Sequence, residues 1–517
     1  MSTRRPRNVL LLWSDQQRPD TIGAYGNDRI RTPNLDRLAA TGTLFEQAYC
    51  AQPVCSPSRA SILTGLYPHT HGVIGNDVPF RADVPTLADL LRPAGYACGY
   101  IGKWHLGKER TPQHGFEECW VSIRDGREGY DDDDPAARSV SSYHAFLVQR
   151  GYSPSDKGAH GARFSHDTMV RLPEEVGRPA FEAGEAIRFL EEYRGRPFLL
   201  SVNFLEPHTP YWGPFDAMYD ADQMQLPRSW YEPMEETVPL RYRRRREEVH
   251  WSEMVRQLRT PDEVGWKEVK ARYWGNVTLV DKYAGRILRR LDELGLADDT
   301  IVVYTSDHGD LMGEHRLLFK GVPYEGAIRI PLIVRAPGVA PRRIGAPVSQ
   351  LDLVPTLLDL LDQPVPPHLQ GASLRPQLAG DTGVPVERDV VVEWNGYDGY
   401  PKEYRRPVPL GEPEEVERRL RAVDVRSIRR GPWKLNVHVS GEHELYNLQD
   451  DPEELHNAFF DRGNERVVED LFDRLVAWQR ATGDALALPD PSFARSQAQH
   501  AARADSSPAP VGHRLSG

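Results

Sequence analysis

Short continuous apolar runs alternate with amphipathic helical patterns along most of this chain, and few folds accommodate that alternation. Residues 8–13 (Asn-Val-Leu-Leu-Leu-Trp) carry no polar alternation, so the segment suits a strand covered on both faces, as in a parallel sheet. Thr32 precedes Pro33 at the head of a helix that runs through Leu35 and Leu38 and stops at Gly42. Residues 85–94 predict a second helix ended by Gly95, with a strand over 96–101. The pattern repeats as a helix over 181–193, a strand over 197–203, a long helix over 273–294, strands over 300–305 and 330–334, and a helix over 351–361. The predicted fold class is α/β, with a large, mainly parallel sheet flanked by helices.

Two stretches interrupt this order. Residues 121–170 are rich in Gly, Asp and Ser and include four consecutive aspartates at 131–134. Residues 209–270 carry aromatics, prolines and two charged runs. Both read as insertions over the sheet edge, where loops shape a pocket. After residue 386 the pattern changes. Strands over 390–394, 423–428, 433–439 and 444–448, the later ones separated by Gly431 and Gly441, and a helix over 465–481 predict a small antiparallel sheet with one packed helix. The expected division is 1–385 for a catalytic α/β domain, 386–485 for an α+β subdomain and 486–517 for a tail or oligomer arm. That tail and the insert near 230–265 are the candidate surfaces for a homo-oligomer.

Composition removes several function classes. Lys and Arg number 64 against 75 Asp and Glu, a formal charge of -11 over 517 residues, which does not suit bulk electrostatic binding of nucleic acid. The apolar run at Val9–Trp13 is too short for a secretory signal or a membrane span, so a cytoplasmic protein without membrane attachment is expected. The four cysteines, Cys50, Cys55, Cys98 and Cys119, are too few for a disulfide scaffold and lack zinc-site spacing.

Three segments carry candidate chemistry. Asp15 and Gln16 follow the first strand, where open α/β sheets gather ligands. Thr305-Ser306-Asp307-His308-Gly309-Asp310 ends another strand, so two acidic strand ends can surround one hard cation. Cys55-Ser56-Pro57-Ser58-Arg59 puts Cys55 near a helix N-terminus, where free amides favour an anion, with Arg59 one turn on. Without further context the last segment also reads as a buried cysteine before an ordinary helix.

Longer motifs decide between these readings. Cys55–Arg59, extended by Ala60–Gly65 and by Leu66-Tyr67-Pro68-His69-Thr70-His71-Gly72, resembles the signature recognised by formylglycine-generating enzymes in type I sulfatases of the alkaline phosphatase-like superfamily. Gly102-Lys103-Trp104-His105-Leu106-Gly107 is similar to the family's second signature. Ser306–His315 with Lys320 resembles its metal and anion region, and Glu444-Leu445-Tyr446-Asn447-Leu448 its C-terminal subdomain.

The resemblance implies a sulfuric ester hydrolase whose Cys55 becomes formylglycine, which is both nucleophile and metal ligand. It implies one divalent metal on Asp15, Gln16, Asp307 and His308, calcium by family habit. Gln16 and His308 depart from the common aspartate and asparagine and are similar to the phosphonate and phosphodiester monoester hydrolase branch. This softer set keeps manganese or another first-row metal open. Arg59, Lys103 and His105 resemble the residues that hold the formylglycine hydrate, His208 the histidine at the leaving-group oxygen, and Lys320 the lysine on the sulfate or phosphate oxygens. The implied partners are a small sulfated, phosphorylated or phosphonylated substrate and a formylglycine-generating enzyme during maturation. A sulfate ester is the expected substrate because Lys103-Trp104-His105 follows the common sulfatase pattern. Trp104, Tyr143, Trp212 and the run His208-Thr209-Pro210-Tyr211 are candidate contacts for the rest of it.

Overall fold

The computed structural model describes residues 7–76, 78–124, 140–154, 156–158, 161–248, 262–381, 387–396, 414–421 and 423–492. Fifteen strands among the described residues are numbered here in chain order. They are β1 (Asn8–Asp15), β2 (Thr43–Tyr49), β3 (Ala97–Gly102), β4 (Cys119–Ser122), β5 (Asp156–Gly158), β6 (Gly161–Arg163), β7 (Phe198–Pro207), β8 (Thr300–Ser306), β9 (Arg329–Arg335), β10 (Arg342–Ile344), β11 (Val348–Ser349), β12 (Val390–Asn395), β13 (Asp424–Arg430), β14 (Trp433–His438) and β15 (Glu444–Asn447).

The main sheet has nine strands in the order β10-β2-β9-β8-β1-β7-β3-β4, with β11 beside β2. β1 lies at its centre, parallel to β7 and β8. Only β9 runs against the others, pairing antiparallel with β8 and β2. Alternate residues of β1 feed opposite faces. Val9, Leu11 and Trp13 join one core, and Leu10 and Leu12 the other. Each such buried side chain stabilises the fold by roughly 1.5–3 kcal/mol, which is why continuous apolar runs form these strands.

Helices cover both faces. On one side lie α1 (Pro33–Thr41), α3 (Arg178–Tyr193) and α4 (Glu263–Glu293), packing through Leu35, Phe189 and Ile287. On the other lie α2 (Cys55–Thr64) and α5 (Leu353–Leu360), packing through Ile62 and Leu357. Most expected elements are present with shifted ends. The helix expected over 273–294 begins ten residues earlier, at Glu263, and the one over 85–94 splits into Leu87–Leu91 and a 3-10 turn. Thr32 occupies the cap position of α1 but its side chain makes no capping bond. The free amides of Asn34 and Leu35 instead donate to Asp281 Oδ1 at 3.1 and 2.8 Å.

The second sheet, β12-β13-β14-β15, is antiparallel throughout and packs on α6 (Glu465–Thr482) through Ile428, Leu435, Leu471 and Leu475. It is also tied to the segment that leads into β9. Fully buried Lys434 donates to the Pro323 carbonyl at 2.8 Å and to Glu325 Oε1 at 3.0 Å. Residues 125–139 of the first expected insertion, with its four aspartates, 249–261 of the second, and 493–517 of the tail lie outside the described residues. Among the described residues no helix is long and apolar enough to cross a membrane.

Candidate active site

The site forms where β1, β3, β7 and β8 end on the same edge of the sheet, against the start of α2. Parallel strands send their last residues to one edge, so Asp15, Lys103, His208 and Asp307, distant in sequence, converge there. The register shift after Ser14 and the positive φ of Gln16 (68°) turn the chain so that the Gln16 amide donates to Asp307 Oδ1 at 3.0 Å. Gly102, with φ 114°, lets β3 pass against β7: an added Cβ would lie 2.0 Å from the Asn203 carbonyl oxygen.

Helix α2 explains the position of Cys55. Val54 is extended, Cys55 is the first helical residue, and Pro57 falls in the first turn, where its missing N–H costs nothing. All ten residues of α2 are buried although half of them are polar, so each polar group needs a partner. The Ser56 hydroxyl donates to the His105 carbonyl at 2.6 Å, and the Ser58 hydroxyl donates to the Asp307 carbonyl and lies 3.0 Å from Gln350 Oε1. The helix that starts at Cys55 therefore pins two other segments of the site.

Cys55 Sγ is 3.3 Å from His308 Nε2, 3.4 Å from Lys320 Nζ and 3.7 Å from Asp15 Oδ1. The imidazoles of His105 and His208 also reach it. Arg59 is fully buried. Its Nη2 lies 2.7 Å from Asp15 Oδ2 and 3.0 Å from Asp307 Oδ2, and its Nη1 donates to Asn203 Oδ1 and the Lys103 carbonyl, both at 2.6 Å. Lys103 bonds Asp15, and Lys320 bonds Gln16 Oε1. The Gln16 amide nitrogen donates to Asp310 Oδ2 at 2.5 Å, an oxygen that also accepts from the Tyr211 hydroxyl at 2.6 Å. The structure thus brings all ten expected site residues together.

Charge is concentrated in a site whose residues are buried except for the partly exposed His208 and Lys320. Burial raises the Cys55 thiol, yet Lys103, Lys320 and His308 outweigh it and hold the thiol well below its ordinary value. Burial and Cys55 push the Asp15 carboxyl up, and Lys103, His208 and Arg59 bring it below the usual carboxylate range. Burial and the charge on Asp15 raise Asp307 instead. Burial lowers Lys103 to about 8. Burial, then Lys103, lowers His105 strongly. Burial, with Lys320 and Lys103, lowers His208 to about 4. Both imidazoles are therefore neutral near pH 7.

One ligand atom each from Asp15, Cys55, Asp307 and His308 lies within 4.8 Å of the others. His308 Nδ1 donates to the Gly309 carbonyl at 2.8 Å, so Nε2 is the ring nitrogen that faces the cluster; burial lowers this imidazole, Asp307 more than reverses that and raises it, and a bound cation would take the place of the Nε2 proton. Asp307 Oδ2 is buried with no hydrogen-bond donor in good geometry. Two carboxylates, an imidazole nitrogen and the Gln16 carbonyl oxygen fit a divalent cation.

Sequence reasoning missed Asn203 and Gln350 as supports of the site, while Tyr211, expected at the substrate, instead meets Gln16 and Asp310. The only signal for Asn203 and Gln350 was proximity to strand ends or motifs. Trp104 and Tyr143, expected at the substrate, are instead fully buried in the two cores, whereas Trp212 is partly exposed with the Arg272 guanidinium 3.7 Å from its ring centroid.

A mainly parallel sheet with a cluster of cation-ligating side chains and a buried thiol at its carboxyl edge defines a hydrolase of the alkaline phosphatase-like superfamily. Residues 7–363 match the Sulfatase family, and the chain belongs to it. It is 28% identical to the multifunctional alkaline phosphatase superfamily protein PehA of Trinickia caryophylli, over 92% of this chain and 96% of that protein. It is 30% identical to the N-acetylglucosamine-6-O-sulfatase of Bacteroides thetaiotaomicron, over 93% of this chain and 88% of that one. Among solved structures, the phosphonate monoester hydrolase of Agrobacterium radiobacter superposes with a TM-score of 0.68 at 26% identity, covering 92% of this chain and 96% of that chain.

Proposed function

We propose that this protein hydrolyses sulfate esters through a covalent intermediate on a formylglycine derived from Cys55. The observation that carries the reading is the Cys55 sulfur at the head of α2, enclosed by Asp15, Asp307, His308 and three cationic side chains. A maturation enzyme would oxidise the Cys55 CH2–SH to an aldehyde with molecular oxygen as oxidant, the C–S bond breaking and the sulfur leaving as sulfide, and water then adds to the aldehyde to give a geminal diol. A divalent metal held by Asp15, Gln16, Asp307, His308 and residue 55 would supply Lewis acidity; calcium follows family habit, and the Gln/His pair keeps manganese open.

The chain's own groups have separable tasks. Arg59 orients the diol and disfavours its protonated form. One diol oxygen attacks sulfur in line with the departing alcohol, whose S–O bond breaks. Lys103 and Lys320 offset charge on the non-bridging oxygens. His208 gives a proton to the leaving oxygen. Its depressed value reflects burial and two neighbouring lysines, and an anionic substrate seated among those lysines shifts it upward. His105, already neutral, takes the proton of the second hydroxyl. The C–O bond to sulfate then breaks and the aldehyde returns. Replacing His208 with glutamine should lower kcat by about 10²–10⁴-fold for alkyl leaving groups and far less for nitrophenol, which needs no proton. Equal losses for both would remove His208 from that role.

A second reading has its own support. Gln16 and His308 resemble the phosphonate monoester hydrolase branch, and PehA and the Agrobacterium radiobacter phosphonate monoester hydrolase are similar over nearly the whole chain. Rates measured side by side on an aryl sulfate, a phosphate diester and a phenyl phosphonate monoester decide between the two. The proposal expects the sulfate to have the highest kcat/KM; a lead of either phosphorus ester would reverse the assignment. We further propose 1–385 as the catalytic unit and 386–485 as its brace.

A further inference from the structure

A buried acid that this chemistry does not use lies on α3. Glu182 is shielded from solvent, and neither of its carboxyl oxygens has a hydrogen-bond partner among the described residues. Arg178, one turn earlier on the same face of α3, is committed elsewhere: its Nε and Nη2 both lie 3.1 Å from Glu206 Oε1. Glu206 Oε2 is also buried and without a partner. Glu206 sits at the end of β7, two residues before His208.

Two carboxyl groups and one guanidinium are therefore enclosed together. An ionised carboxylate without a donor in such a place is strongly disfavoured against the neutral acid. The charged and titratable groups facing Glu182 are Glu206 on β7, Arg178 on α3, Arg59 on α2 and the Tyr143 phenol of the helix Ser142–Gln149. Burial, then Glu206, pushes the acid well above its ordinary value, and Arg178 and Arg59 do not reverse this. The Tyr143 hydroxyl is engaged with the Val176 carbonyl at 2.8 Å.

We propose that Glu182 is a positioning residue kept as the neutral acid, whose hydroxyl bridges to Glu206 Oε2, directly or through one water, and so holds the turn that presents His208. A protonated carboxyl supplies the donor that Glu206 Oε2 lacks, while Arg178 holds Oε1. One carboxylate at the base of the His208 turn is then fixed through both oxygens.

The mature enzyme, E182Q and E182L test this. A group whose folded-state value is raised contributes stability that is lost as pH rises. The wild-type unfolding constant in urea, divided by that of E182Q, should therefore grow about tenfold per pH unit above the ordinary glutamate range, until the folded value is reached. At neutral pH the infrared difference spectrum of wild type minus E182Q should show the carbonyl band of a buried carboxylic acid, the Glu454 acid, raised by burial to about 8, cancelling between the two. These two readouts involve no turnover, so they stand apart from the sulfatase reading. On substrates, E182L should lower kcat at least about tenfold more for alkyl than for nitrophenyl leaving groups, with KM little changed and E182Q recovering most of the loss. The proposal is overturned by a pH-independent stability ratio or by absence of the acid band. It is equally overturned by neutral-pH stability that requires sodium or potassium, which would mean that a cation neutralises the pair, or by equal kcat losses for the two leaving groups.

Discussion

Cys55→Ala is expected to lower turnover by at least about a thousandfold while the fold persists, as for loss of a nucleophile that works as a unit with its neighbours. Helix α2 offers no replacement. The Ser56 hydroxyl is committed to the His105 carbonyl, the Ser58 hydroxyl to the Asp307 carbonyl, and the Ser61 hydroxyl lies 3.1 Å from His71 Nε2. Loss of one small buried side chain costs on the order of 1 kcal/mol, so the unfolding midpoint should move by only a few degrees. Cys55→Ser sharpens the test. A serine can attack sulfur once, but it lacks the second hydroxyl whose deprotonation expels sulfate. It should therefore give a stoichiometric burst of alcohol and then stall, with the sulfate ester on the peptide that carries the substituted position. Wild-type turnover by the alanine variant would end the covalent mechanism.

The second large effect is metal removal. Chelation and desalting should reduce activity by at least about 10²-fold, with recovery on adding a divalent cation. Three observations underlie this. The ligand atoms of Asp15, Cys55, Asp307 and His308 share a space of 4.8 Å, His308 turns its Nε2 toward that space, and Asp307 Oδ2 is buried 3.0 Å from the Arg59 guanidinium without a well-aligned donor. Cation binding to the folded chain should also raise stability, by about 2.7 kcal/mol at a concentration a hundred times its Kd. Comparing recovery by calcium and manganese reports how far Gln16 and His308 soften the site. Full activity in thoroughly chelated protein would remove the metal from the account.

Much of this was legible in the sequence for physical reasons. Strands covered on both faces must be apolar throughout, so β1, β7 and β8 announce themselves, and their last residues must meet at one edge if they are parallel. That logic places Asp15 and Asp307 before any coordinates exist. Strand direction was not legible: the pattern of Ile330–Val334 reads the same either way, and β9 runs antiparallel. Side-chain struts were not legible either. Gln350 meets Ser58 across 292 residues, and Asn203 meets Arg59 across 144, with no spacing rule to link them. Trp104 shows the reverse error, since aromatic residues suit pockets and cores alike, and its neighbours Tyr100, Phe116 and Trp120 draw it into the core.

The most direct test is the mass of the peptide carrying residue 55, measured in preparations matured to different extents alongside their turnover. Turnover should rise in proportion to the fraction bearing the aldehyde and reach zero where only cysteine remains. Full turnover from a preparation whose residue 55 is entirely unmodified cysteine would contradict the account.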